Sequence, residues 1–176
     1  MTARAVHVLA LCGSLRAASM NRALLEAAAR LAPPGIEVRL FAGLGDLPLF
    51  NPDREADLPP PVRALHAQIE AADALLIASP EYAHGVTAVL KNALDWLVSF
   101  PPFVARPVAI LNASPRSVHA DAALREILVT MSADLVVDAC RALPLRATGA
   151  TVDSIVAAHA AEIRDALQRL ARGVTR

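Results

Sequence analysis

Apolar residues fall into two rhythms along this chain. Four short runs, Val6–Leu11, Asp73–Ser79, Val108–Ala113 and Leu135–Ala139, are apolar at nearly every position. They alternate with longer segments whose apolar residues recur every three or four places, which predicts βαβ units with helices packed over a sheet. Leu24, Ala27, Ala28 and Leu31 form one such stripe; Leu124, Ile127, Leu128 and Met131 form another, and Val156, Ile163, Leu167 and Leu170 a third. A further helix is expected to carry Val89, Leu90, Ala93, Leu94, Leu97 and Val98.

One strand differs from the others. Ile36, Val38 and Leu40 alternate with Glu37 and Arg39, giving one polar face and placing this second strand at a sheet edge. With right-handed crossovers, a five-stranded parallel sheet in the order 2-1-3-4-5 puts that strand outside and the apolar runs inside, with helices on both faces. The stretch from Gly43 to Pro61 holds five prolines with Asn51, Asp53 and Asp57, and is expected to be a long loop before the second helix. No internal repeat is present, and the Ala-rich stretches read as helix-compatible filler.

The chain has 176 residues, a length suited to one domain spanning 1–176. Its apolar content of 55% is broken by Pro, Gly and Arg before any run reaches the roughly 18 to 20 residues that span a bilayer. No signal-peptide pattern opens the chain, so the expectation is a soluble, cytoplasmic protein without a membrane partner. Lys plus Arg and Asp plus Glu each total 17, leaving no net field to draw nucleic acid or an anionic surface. Small molecules are the expected partners. Cys12 and Cys140 stand far apart without metal-ligand spacing, so they are read as free thiols, with no disulfide and no metal site.

In an open parallel sheet, ligands bind beyond the carboxyl ends of the strands, which directs attention to three loops. The first, Cys12 to Arg22, gathers Ser14, Arg16, Ser19 and Asn21 where a buried strand meets a helix start. Hydroxyl, amide and guanidinium donors there suit a phosphate, and the backbone N–H groups of the helix start point the same way. The same Ser19 and Asn21 would also serve as ordinary helix caps. A triphosphate loop is excluded because the only lysine is Lys91, and no GxGxxG turn follows the first strand; a monophosphate remains.

The loop after the third strand reads Ala78 to Gly85. Pro80 cannot continue a central ladder and Gly85 permits a turn, so the backbone swings outward and offers polar groups and the flat Tyr82 to a planar ring. Glu81 as a helix cap, Tyr82 as packing and His84 as a solvated residue are the plainer readings. Lys91 and Asp95, four apart, are expected to pair on a helix face.

GSLRAASMNR (13–22) and SPEYAHGVTAVLKNALDW (79–96) together strongly resemble the NAD(P)H-dependent FMN reductase family, which includes quinone, azo-dye and chromate reductases. The resemblance implies a flavodoxin-like three-layer α/β sandwich. It implies an FMN phosphate held by Ser14, Arg16, Ser19, the Met20 backbone and Asn21. Pro80, Glu81, Tyr82, Ala83 and His84 would line the flavin ring, and Ser114 would add a contact from the loop after the fourth strand. The chain departs from the family pattern at Ala83, at Thr87 where a proline is frequent, and at Asn112 to Ser117 where glycines are frequent; Arg116 there suits an anionic substrate. The implied activity is hydride transfer from NAD(P)H through FMN to a small acceptor such as a quinone, an azo compound or a metal oxyanion, with no catalytic side chain. A homodimer or homotetramer is also implied, with Trp96, Phe100 and Phe103 available as an apolar contact. Two other readings stay open: a flavodoxin-like electron carrier, and a non-redox phosphosugar or nucleoside transferase with Glu81 as its catalytic group.

Overall fold

The computed structural model describes residues 4–145 and 149–174. In chain order the elements are β1 (Val6–Cys12), α1 (Met20–Leu31), β2 (Ile36–Leu40), α2 (Pro60–Ala71), β3 (Ala74–Ala78), β4 (Glu81–Tyr82), β5 (Gly85–Val86), α3 (Ala88–Asp95), β6 (Pro107–Asn112), α4 (Val118–Thr130), β7 (Asp134–Leu135), β8 (Arg141–Ala142) and α5 (Val152–Gly173). The main sheet runs β2-β1-β3-β6-β7, all parallel, with β8 also paired to β6. Every residue of β3 and β6 is buried, whereas β2, at the edge, buries only Val38. The alternation of Glu37 and Arg39 with apolar neighbours thus marks the position that the pattern predicts.

Side chains alternate across the sheet and feed two cores. Val8, Ala10, Leu76 and Ala109 face α1 and α5, while Leu9, Leu75, Ile77 and Val108 face α2, α3 and α4. The first side is rich in alanine because Ala27, Ala28 and Ala166, all essentially unexposed, let helices approach the strands closely. Those alanines are packing residues rather than filler. No helix among the described residues is long and apolar enough to cross a membrane.

Three local expectations are corrected. The loop from Gly43 to Pro61 contains two single 3-10 turns, Gly43–Asp46 and Pro52–Arg54, and α2 already begins at Pro60, since proline is well suited to a first helical turn. The third helix stops at Asp95, so Val98 lies beyond it with 64% of its surface exposed.

The fifth strand, expected at Leu135–Ala139, is split by a 3-10 turn at Val137–Ala139. Between the pairs Val108↔Leu135 and Leu111↔Arg141 it uses three more residues than β6 does. The detour removes a ladder partner from Ile110. Its N–H is met instead by the Cys140 sulfur at 3.4 Å, and that thiol in turn donates to the Val136 carbonyl at 3.6 Å.

Candidate functional site

The carboxyl ends of β1, β3 and β6 bring three loops side by side, and the closest approach is between the first two. Gly13 donates its N–H to the Ala78 carbonyl at 2.8 Å. A Cβ on Gly13 would lie 2.3 Å from Ser79 Oγ and 2.7 Å from Ser79 Cβ, so only glycine fits against the end of β3. Thr87 Oγ1 donates to the Gly13 carbonyl at 2.7 Å and accepts from Leu90 N at 3.4 Å, capping α3 while joining the loops. Neither Gly13 nor Thr87 stood among the site residues expected from the sequence.

The first loop ends in a capped helix. Ser19, buried, accepts from Arg22 N at 3.3 Å, so its hydroxyl is a helix cap. The N–H groups of Met20 and Asn21, in the first helical turn, have no intrahelical acceptor, as geometry requires. Asn21 is only 4% exposed, and its Oδ1 has no hydrogen-bond partner, a status no other buried side-chain polar atom among the described residues shares. Ser14 is half-buried. Arg16 is exposed and has no ion-pair or hydrogen-bond partner among the described residues, whereas Arg22 is paired with Glu26 at 2.9 Å. Burial pushes the Cys12 thiol up despite the opposing hydrogen bonds of the Ser14 backbone and the Ser19 side chain and the charge of Arg22, so at neutral pH it is a thiol and adds no charge to the loop.

A cleft of about 660 Å³ runs along this turn, walled by Arg16 to Met20 on one side and by Gly149 to Val152 on the other. That second wall leads into α5, which starts with a reciprocal cap between Thr151 and Ser154 and is tied to α1 by the Arg30–Asp153 ion pair. The sequence carried only the Thr-x-x-Ser spacing as a sign of it, because the partner loop is more than a hundred residues away.

The second loop is a two-residue hairpin. Tyr82 pairs with Gly85 and Glu81 with Val86, and the turn between them holds Ala83 at φ 48° and His84 at φ 58°. Positive φ at both central residues is the twist that a two-residue hairpin favours. The unusual backbone therefore falls on Ala83 and His84, and Gly85 is not the residue that makes the turn. Pro80 is half-buried at the base, and Tyr82 is 58% exposed. Glu81 Oε2 accepts from Ala120 N at 2.9 Å, capping the start of α4 rather than of α3, the next helix in the chain. The His84 ring stacks on His119 with centroids 4.1 Å apart and planes inclined by 23°.

The third loop is held by its own turn. Asn112, buried, accepts from Ser114 N at 2.9 Å and donates to the Ser117 carbonyl at 3.3 Å, and Ser114 Oγ accepts from Arg116 N at 3.3 Å. The Ser114 hydroxyl is engaged in shaping the turn, and Arg116 is exposed beside it. Through α4 this loop meets the hairpin. Ser79 and Val86 line one small pocket together with Asn112 and Ser117.

The apolar cluster expected to be available for subunit contact is differently placed. Trp96 and Phe103 are each 1% exposed and belong to the core, and the half-buried Phe100 stacks on His66 at 3.9 Å. Trp96 Nε1 donates to the Pro48 carbonyl at 2.8 Å, and Asn92 holds the same segment through Phe50 N and the Pro48 carbonyl. The exposed apolar side chains around this corner are Leu49, Val98 and Val104. Lys91 and Asp95 pair at 2.5 Å on the outer face of α3.

The family model for NADPH-dependent FMN reductase matches residues 6–146. The chain belongs to that family. An NAD(P)H-dependent FMN reductase of Pseudomonas aeruginosa is 47% identical over 112 residues, covering 62% of this chain and 60% of its own length. A quinone reductase of Escherichia coli is 36% identical over 135 residues, covering 73% of this chain and 72% of its own. Among solved structures, the flavoenzyme NAD(P)H:(acceptor) oxidoreductase FerB of Paracoccus denitrificans superposes with a TM-score of 0.76 at 26% identity, over 96% of this chain and 98% of FerB. This agreement covers the flavodoxin-like order of the sheet. The match to the Pseudomonas relative spans less than two thirds of that protein's length.

Proposed function

We propose that this chain is an NAD(P)H-dependent FMN oxidoreductase that passes hydride equivalents from NAD(P)H to a small acceptor such as a quinone, an azo compound or a metal oxyanion. The whole of 1–176 acts as one FMN-binding domain in this reading, in the cytoplasm and as a homodimer or homotetramer. One observation carries it. The turn into α1, within a family whose members reduce FMN, carries both an exposed cation (Arg16) and a buried amide oxygen (Asn21 Oδ1) that have no partner among the described residues.

Those two unsatisfied groups call for a ligand that carries both an anion and hydrogen-bond donors. FMN, a phosphate ester on a hydroxylated chain, meets both needs, so the residues present fit it. Arg16, Ser14 and the N–H groups of Met20 and Asn21 hold the phosphate, with Ser19 fixing the turn. Pro80 to His84 present backbone groups and the Tyr82 ring to the flavin, and Ser114 shapes the neighbouring wall. Bound there, FMN supplies the hydride-accepting and electron-passing chemistry, so the protein needs no acid, base or nucleophile of its own. Its residues would orient the ring for successive substrates at one site, which implies ping-pong kinetics.

Glu81 is already committed to Ala120 N, which favours a positioning role over a nucleophilic one. The deciding measurement is an absorption spectrum during FMN titration, followed by stopped-flow mixing with NADPH and NADH. Saturable binding and direct bleaching of the flavin are expected. Absence of binding would remove the proposal, and binding without direct reduction would make the chain an electron carrier. Glu81→Gln retains an acceptor for Ala120 N and should cost less than about tenfold in turnover; a loss of several orders of magnitude would favour the transferase reading.

A further inference from the structure

The β4–β5 hairpin is anchored at its base by Thr87 and on its flank by Glu81, but its tip holds the least favourable backbone in the site. Ala83 and His84 both occupy the left-handed region, at φ 48° and 58°, although neither is glycine. Such a conformation is disfavoured for residues with a Cβ and persists where the surroundings hold it. Beyond the Tyr82–Gly85 pairing, this tip is met by the stack of His84 on His119. His119 precedes Ala120, whose N–H donates to Glu81. The first turn of α4 therefore grips the hairpin at two places, on β4 and at the turn itself.

Both imidazoles are exposed, and neither makes a hydrogen bond among the described residues. Neither is needed for the core. The sequence alone did not couple His84 to position 119.

We propose that His119 is a positioning residue for the flavin-binding hairpin, holding the Ala83–His84 turn in its left-handed conformation by stacking on His84. The inference rests on the FMN reading for its functional consequence. His119 touches no reacting atom in this scheme; it acts through His84, so a planar replacement should serve as well as histidine.

The test is a set of FMN titrations, read by quenching of flavin fluorescence, on the wild type, His119→Ala, His119→Phe, His84→Ala and the double alanine variant. His119→Ala and His84→Ala should each weaken binding by about three- to tenfold, the size expected for loss of one ring–ring contact. His119→Phe should stay within about twofold of wild type, and the double variant should be no weaker than either single one. Amide hydrogen exchange at residues 82–85 of the flavin-free protein should accelerate in His119→Ala with thermal stability unchanged. Unchanged exchange, unchanged affinity in His119→Ala, or effects of the two alanine substitutions that multiply would each overturn the inference. If the wild type binds no FMN the functional reading falls instead, and the exchange measurement still decides whether His119 holds the turn.

Discussion

Thr87 Oγ1 and the carbonyl oxygen of Gly13 lie 2.7 Å apart, and this one hydrogen bond joins the loop after β1 to the helix that follows the hairpin. Thr87 is buried, so the bond is made out of contact with water, and the same hydroxyl caps α3 through Leu90 N. Thr87→Val keeps the shape and removes the hydroxyl, leaving the Gly13 carbonyl and the Leu90 N–H without this partner. A loss of about 1–3 kcal/mol in unfolding free energy is expected in urea titration. For a chain of this size that corresponds to a Tm lower by roughly 2–4 °C for each kcal/mol.

Gly13→Ala tests the close approach itself. The new Cβ would stand 2.3 Å from Ser79 Oγ and 2.7 Å from Ser79 Cβ, so one loop must shift. Destabilisation of about 1–3 kcal/mol is expected from overpacking. Removing the obstructing atoms with Ser79→Gly in the same chain should restore part of the loss, whereas equal or greater instability of the double variant would contradict the steric account. Thermal melts of the single and double variants make the comparison.

Arg16→Ala separates the phosphate from the ring. Removal of one charge-assisted bond should weaken FMN binding by about tenfold or more. Riboflavin, which has no phosphate, should bind wild type and variant equally. Matching losses for both flavins would show that Arg16 does not meet the phosphate.

Asp73 links the start of β1 to the start of β3, accepting from His7 N at 2.8 Å and pairing with Arg4. Burial alone would raise its carboxyl, but the bonds from Arg4 and His7 N, with the positive charge of Arg4, outweigh it and hold the group below its ordinary value. A depressed folded value means that the stabilisation is fully present above the unfolded value of about 4 and is lost as pH falls through the lower folded value. Stability measured between about pH 5 and pH 2 should therefore fall less steeply in Asp73→Asn than in wild type. An identical slope in the two proteins would rule out this contribution.

Much of the scaffold was legible because periodicity reports burial directly. Glu37 and Arg39 mark an exposed face, so β2 falls at the edge; the uninterrupted apolar runs of β3 and β6 fall in the middle. Caps are local as well, and Ser19 lies where a helix start requires it. The fifth strand escaped this logic, since Val137 and Ala139 look strand-like while the main chain detours around Cys140.

Sequence by itself determined which segments are strands and which are helices, the edge place of β2 and the polar turn at the head of α1, because each depends on the repeat of apolar positions or on groups within a few residues of one another. The folded molecule decided what joins the loops: Gly13 with Thr87, Glu81 with Ala120, His84 with His119, and the wall from Gly149 to Val152 opposite Arg16. These contacts lie between segments whose separation along the chain says nothing of their distance in space. Only the packing of helices onto both faces of a twisted sheet fixes where the loop ends meet.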